Sequence, residues 1–527
     1  MSGDGATARA DAWTETARGD APAVRAPHIP GVIDLLTEML ADGPPKEIRA
    51  RVRLLIGLLL EPVRQRQALA EAVEDLGEHP ELAALAMLGL GLPSSPGVPL
   101  KEHVAWLDRA LMTAHAIDDP ASRASVLGKA AMALTMIGDP RWARLTERLA
   151  AQSDGAPSHR REVAAFQSAG EAACYAGRHE MAERLLTAAL RRAAEEGDGG
   201  WARTRLACRR SLALLGYCRG SWDGLEKEIA FLLDELSEMP GHRFEVEALA
   251  ACLVLARGDL KAATGPLADL TRRAPAEGAH PMLPLVTGAS IRLAMAQGDI
   301  ETANAVASAA LAAWEARELP MLCVRALPAM IEAMVAGERI DEAAALVSRL
   351  DRELYALDVP LAPPALRHAR GFLATGSGAS GHFLTAAAAY DLLLCPYEAA
   401  QARERAAGHL FALGDPRAAD TLTAAMAAYA ELGARWDLDR TTRTARLQGL
   451  PSPARHRTGP RGYGSALSPR EAEVAELAST GLTNREIARG LFLATKTVDK
   501  HLSAALRKLG LHSRTALARH LGGTPPP

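Results

Sequence analysis

The chain has 527 residues, with 60 lysines and arginines against 63 acids, 48% apolar residues and only 4% aromatics. That length accommodates roughly three or four ordinary domains, or one long repeat array with a small module. An interior made of alanine and leucine suits closely packed helices rather than sheets, so an all-α array is expected. The net charge of −3 excludes a uniformly basic nucleic-acid coat, yet the distribution is uneven: residues 465–527 hold nine basic and five acidic residues, residues 451–464 three arginines and no acid, and residues 1–450 48 basic and 58 acidic. A basic end behind an acidic body points to a polyanion partner at one end only.

In chain order, residues 1–28 mix Gly, Ala, Asp, Thr and Arg without an apolar core. They are expected to be a disordered tail, neither signal peptide nor anchor. No run of about 18 apolar residues follows anywhere, which argues against a membrane-spanning helix and for a cytoplasmic protein. Residues 29–446 are expected to be helical repeats, with early helices in "IPGVIDLLTEML", "VRLLIGLLLEPV" and "PELAALAMLGLG" whose register the sequence does not define. The cysteines, Cys174, Cys208, Cys218, Cys252, Cys323 and Cys395, show no Cys-x-x-Cys pair. Buried reduced thiols are expected, with no metal and no disulfide.

From residue 138 a period emerges. Turns opening with glycine recur at Gly138 ("IGDPRWA"), Gly177, Gly220, Gly258 ("RGDLKAA"), Gly298 ("QGDIETA"), Gly337, Gly376 and Gly414 ("LGDPRAA"), at separations of 39, 43, 38, 40, 39, 39 and 38 residues. Glycine ends one helix in the left-handed conformation, and the Asp or Ser after it caps the next. In the two "GDP" turns the proline is expected at the first helical position, where its missing N–H is harmless. Small side chains at Ala143, Ala182, Ala263, Ala303, Ala343 and Ala419 suit close helix pairing. This pattern resembles the tetratricopeptide class of helix–turn–helix repeats. Most aromatic consensus positions are absent, and the period is longer than the usual one, similar to that of the superhelical domain of bacterial regulators of the maltose-activator type. Such arrays present a curved surface that takes a peptide, a protein or a small molecule, or serve as a spacer without ligand.

Residues 447–464 read as a basic flexible linker, rich in Pro, Gly and Arg. A four-helix module follows at 465–523. "SPRE" predicts a helix capped by Ser468, with Pro469 first and Glu471 reaching back; it stops at Gly481. "TNRE" predicts a second helix with a box of Thr483 and Glu486, burying Ile487, Ala488 and Leu491. A third spans about Thr495 to Leu509, with Val498, Leu502, Leu506 and Leu509 inward and Gly510 as its stop. A fourth starts at Ser513. On the third helix the apolar stripe leaves Lys496, Asp499, Lys500, Ser503, Arg507 and Lys508 exposed, a cationic face that fits a major groove about 12 Å wide.

From Leu467 to Leu517, "LSPRE", "GLTNREIA", "KTV", "HL", "RKLG" and "SRTAL" resemble the LuxR-type helix-turn-helix domain. The resemblance implies a recognition helix beginning at Thr495 and a preceding helix lying across the DNA backbone. It assigns phosphate contacts to Thr483, Asn484, Arg485, Lys496, Thr497 and Lys508, and base edges to Asp499, Lys500 and Ser503. Lys500 suits guanine and Asp499 suits cytosine N4. One position departs from the family: Ala494 stands where a capping Ser is usual, and losing such a cap costs about 1 kcal/mol.

The remaining motifs point away from other classes. Gly128-Lys129 lacks the earlier glycine and the hydroxyl of a phosphate-binding loop. The chain therefore resembles the C-terminal half of the large ATP-binding LuxR regulators with the ATPase absent. No receiver or acyl-homoserine-lactone sensor pattern appears, nor paired acid/base residues, so neither cofactor nor catalysis is expected. The reading is a sequence-specific regulator of transcription, an activator by resemblance, partnered by double-stranded DNA and RNA polymerase and pairing as a homodimer on DNA. Its helical-repeat domain would take a ligand or protein. The alternative is an interaction scaffold whose last module docks protein.

Overall fold

The computed structural model describes residues 32–59, 62–77, 79–93, 97–152, 159–195, 201–237, 240–274, 281–450, 467, 469–491 and 495–521. The tail expected at 1–28, most of the linker, Ser468 and Ala494 lie outside them. The chain divides into two compact units, residues 1–453 and 454–527. The described residues form α-helices and one short 3₁₀ turn, Pro320–Cys323, with no strand. The larger unit is a tetratricopeptide-like array and the smaller a four-helix module.

Within the array two kinds of helix alternate, as their sequences require. Inner helices are apolar nearly all round: Pro120–Ile137 buries every residue from Gly128 to Ile137. Outer helices carry one apolar stripe, as in Ile340–Leu354, where Ala343, Leu346, Val347, Leu350 and Leu354 are buried at helical spacing. The eight glycines of the period all fall where an inner helix turns into the next outer one. Gly138, Gly177, Gly220, Gly258, Gly298 and Gly414 have φ between 65° and 98°. Asp259 and Asp299 then accept the N–H of Ala262 and Thr302, each at 2.9 Å. Asp139 and Asp415 accept the N–H of Arg141 and Arg417, also at 2.9 Å.

Those last two bonds displace the expected prolines. Pro140 and Pro416 stand ahead of the helices Arg141–Gln152 and Ala418–Leu432 rather than first in them, because the aspartate caps the N–H just beyond the ring. Gly337 also differs: its φ is −90°, and Glu338 takes the left-handed place at 60°. Glycine serves there for proximity, since a Cβ would lie 2.6 Å from Asn304 Nδ2, whose amide donates to Ala333 O at 2.8 Å. The small pairing residues Ala182, Ala263, Ala303 and Ala343 are wholly buried.

The array curls until its first half rests on its second. Leu100 N donates to Glu318 at 2.9 Å, Trp142 Nε1 to Asp358 O at 3.2 Å and His179 Nδ1 to Leu394 O at 3.3 Å, bonds that join residues 215 to 218 apart. Farther along, Arg257 Nη1 donates to Leu432 O at 2.9 Å and Gly433 O at 3.2 Å. Leu357, Leu361, Leu432 and Trp436 lie directly on Gly138, Gly177, Gly220 and Gly258. Turns without side chains thus permit the close approach of the two halves.

Buried arginines here lie against carboxylates. Arg210 Nη2 lies 2.5 Å from Glu171 and its Nε 2.9 Å from Glu245. Arg292 Nη2 reaches Tyr397 Oη at 2.7 Å and Asp437 at 3.2 Å, and Arg440 reaches Glu404 at 2.6 Å. All six cysteines are free and buried. Gly128 and Lys129 sit mid-helix, with Gly128 against the backbone of Ala165, a packing role unrelated to phosphate.

Candidate nucleic-acid interface

Four helices build the small unit: Pro469–Ser479, Asn484–Gly490, Thr495–Lys508 and Arg514–His520. Val474, Ala475, Ala478, Ile487, Ala488, Val498, Leu502, Ala505 and Leu517 form its core, with Leu491, Leu506 and Leu509 packed at the edge. Ala505 thus takes a central place that the sequence reading gave to Leu506, because a short side chain lets Thr495–Lys508 approach Pro469–Ser479. The cap at Thr483 is reciprocal. Thr483 N–H donates to Glu486 at 2.7 Å, and Glu486 N–H to Thr483 Oγ1 at 3.3 Å. Gly481 and Gly510 have φ of 93° and 67°, and Ser513 Oγ accepts from Ala516 N–H at 3.1 Å.

The third helix turns its apolar stripe inward and a polar face outward. Lys496, Lys500, Ser503 and Arg507 recur at i, i+4, i+7 and i+11 and are exposed, with Asp499 beside them. Lys496, Lys500, Arg507 and, on the preceding helix, Arg485 hold no ion pair among the described residues. Thr497 and His501 are half-buried.

Four of the residues named from sequence, Thr483, Asn484, Asp499 and Lys508, are committed to internal bonds. Asn484 Nδ2 donates to Asp499 Oδ1 at 3.3 Å, which ties the second helix to the third. Thr483 is occupied by its cap. Lys508 is half-buried and donates to Glu471 at 2.6 Å, so a phosphate contact must use another of its three protons. Asp499 Oδ2 carries no bond among the described residues.

Arg514 was given no role in the sequence reading. Its Nε donates to Ala478 O at 3.2 Å, its Nη1 to Asn484 Oδ1 at 2.9 Å and its Nη2 to Leu482 O. It joins the first helix, the turn and the second helix from the start of the fourth. Burial pulls its pKa down, which Glu486 partly offsets. A cation in the first turn of a helix opposes the macrodipole, and that was the available signal.

A pocket of about 170 Å³ opens among the inner helices of the array. Its walls include Arg292, His368, Phe372, Gln401, Trp436 and Arg440. Arg292 and Arg440 lie over Trp436 at 5.3 and 4.9 Å from the ring centre. His368 Nδ1 is buried without a hydrogen-bond partner among the described residues. Burial, aided by Arg405, lowers its pKa to about 3, so the ring is neutral. Among the described residues no cluster of three or more His, Cys, Asp or Glu is placed to hold a metal. No helix there is long and apolar enough to cross a membrane.

Comparison with known proteins bears on each unit separately. Residues 465–521 match the model of bacterial regulatory proteins, luxR family. An HTH-type transcriptional regulator of Mycobacterium bovis is 49% identical over 57 residues, 11% of this chain and 6% of the relative. The HTH-type regulator GfsR of Streptomyces halstedii is 48% identical over 67 residues, 12% of this chain and 28% of the relative. The DNA-binding transcriptional activator DevR/DosR of Mycobacterium tuberculosis is 46% identical over 54 residues, 10% and 25% respectively. The chain thus matches less than a third of the length of each of these relatives, and its residues 465–521 are a LuxR-family helix-turn-helix domain. A crystal structure of Rap protein complexed with Competence and Sporulation Factor matches 68% of this chain and 99% of that one, at a TM-score of 0.52 and 12% identity. That likeness gives the fold of the array.

Proposed function

We propose that the chain is a sequence-specific DNA-binding regulator of transcription, with its repeat array as the input domain. The observation that carries this reading is the exposed face of Thr495–Lys508, whose cations Lys496, Lys500 and Arg507 have no internal partner among the described residues. In this reading Lys496, Thr497 and Arg485 hold phosphate, joined by Thr483, Asn484 and Lys508 through the bonding capacity left to them. Lys500 and Ser503 read base edges together with the free oxygen of Asp499.

The protein acts in the cytoplasm as a regulator rather than an enzyme. It pairs on a two-fold DNA site and contacts RNA polymerase as an activator. A ligand or protein partner signals through the array; the neutral His368, the Gln401 amide and the Trp436 ring offer such a partner a polar and aromatic pocket. Rap protein, crystallised with a factor bound, is a precedent at the level of fold.

The test is binding of the full chain to operator DNA across salt concentrations. The reading expects log K to fall with log salt at a slope on the order of −3 to −8. Lys500→Ala should relax discrimination between sites by about 1–3 kcal/mol, whereas Arg485→Ala should weaken all sites alike. Absence of any DNA binding at low salt, with one dominant protein partner captured instead, would support an interaction scaffold.

A further inference from the structure

We propose that a groove on the outer side of the array binds an amphipathic anion, its carboxylate or phosphate head held by Arg144 and Arg148 and its apolar tail laid over Leu111, Leu127 and Leu145. The groove runs between the outer helices Leu100–Ala114 and Arg141–Gln152 and is floored by Pro120–Ile137. Its volume is about 420 Å³, within the range of small-molecule sites, roughly 300–1,000 Å³. This site is distinct from the inner pocket and does not depend on the proposed regulatory role.

Charge selects the head group. Arg123, Arg141, Arg144, Arg148 and His115 line the groove, and among the described residues no acid does. Two of these cations are fixed by the protein: Arg123 donates to Ile117 O at 2.8 Å, and Arg141 is held by Asp108 at 2.5 Å and Asp139 at 2.6 Å. Arg144 and Arg148 stand one helical turn apart on the same face, exposed and without a partner among the described residues. Two guanidinium forks at that spacing match the oxygens of a carboxylate or phosphate.

The floor selects the tail. Leu111, Leu127 and Leu145 are the partly exposed margin of the main hydrophobic core, so a ligand that covers them removes apolar surface from water. A bare phosphate, or the backbone of a nucleic acid, gains nothing from that surface. A neutral alkane gains nothing from the arginines.

The experiment is isothermal titration of the full chain with decanoic acid, decyl phosphate, decanol and inorganic phosphate, each below its aggregation limit. One acid or phosphate ester should bind per chain, with decanol and inorganic phosphate at least about tenfold weaker. The double variant Arg144→Ala, Arg148→Ala should lose about tenfold in affinity for decanoic acid at an unchanged circular dichroism spectrum, since neither side chain has an internal partner to abandon. Co-sedimentation with phosphatidylglycerol vesicles that the double variant loses identifies a membrane lipid as the source; binding of free amphiphile without vesicle capture identifies a soluble one. Equal binding of decanol and decanoic acid, or unchanged affinity in the double variant, overturns the proposal.

Discussion

The array and the terminal module are built from the same local devices but dispose of their cations in opposite ways. In the array Arg210, Arg292 and Arg440 turn inward and are matched by Glu171, Asp437 and Glu404. In the module Lys496, Lys500 and Arg507 turn outward and are matched by nothing among the described residues. Counting basic residues points only to one end of the chain; asking which are paired picks out individual side chains. The same criterion draws Arg144 and Arg148 out of the array.

This contrast can be broken at its strongest point first. Arg210→Ala should destabilise the array by about 3–5 kcal/mol, since Glu171 and Glu245 would be left buried without their cation. Urea unfolding of the full chain measures this, and a loss below about 1 kcal/mol would mean the inward pairing contributes little. Second is a dependence on pH. His368, normally near 6.5, has its folded pKa lowered to about 3 by burial. The unfolded chain therefore takes up a proton that the folded chain refuses, and stability falls as pH drops below about 6.5. The loss at pH 5 should be about 2 kcal/mol, and His368→Phe should remove that component from the unfolding midpoint.

In the module the expected effects are smaller. Arg514→Ala leaves the carbonyls of Ala478 and Leu482 without their donor and should cost about 1–3 kcal/mol, read as a lower melting temperature of the module. Thr483→Ala removes one half of a reciprocal cap and should cost about 1 kcal/mol. If Thr483→Ala weakens DNA binding more than that loss of fold accounts for, its hydroxyl also serves phosphate directly.

Local chemistry was legible in the sequence and distant pairing was not. The turns at Gly138, Gly258 and Gly298 could be read because a left-handed glycine followed by a capping aspartate is decided within a few residues. Pro140 was misplaced at that same scale, where an aspartate side chain and a helix start compete. The inward curl was not legible, since Trp142 with Asp358 or Arg257 with Leu432 depends on where the whole array brings its ends. The helix Thr495–Lys508 was legible because its inner stripe and polar face follow one period. Arg514 and the pair of Lys508 with Glu471 were not, because each joins residues about 30 or more positions apart. Exposure and pairing, which divide the free cations from the committed ones, are properties of the fold.

Genome-wide occupancy of the native chain, measured beside Lys500→Ala, tests the central claim most directly. The account predicts a set of enriched sites sharing one two-fold motif, with the preference at one or two base pairs per half-site relaxed in the variant. Absence of enriched sites for the native chain, or an identical motif in Lys500→Ala, would contradict it.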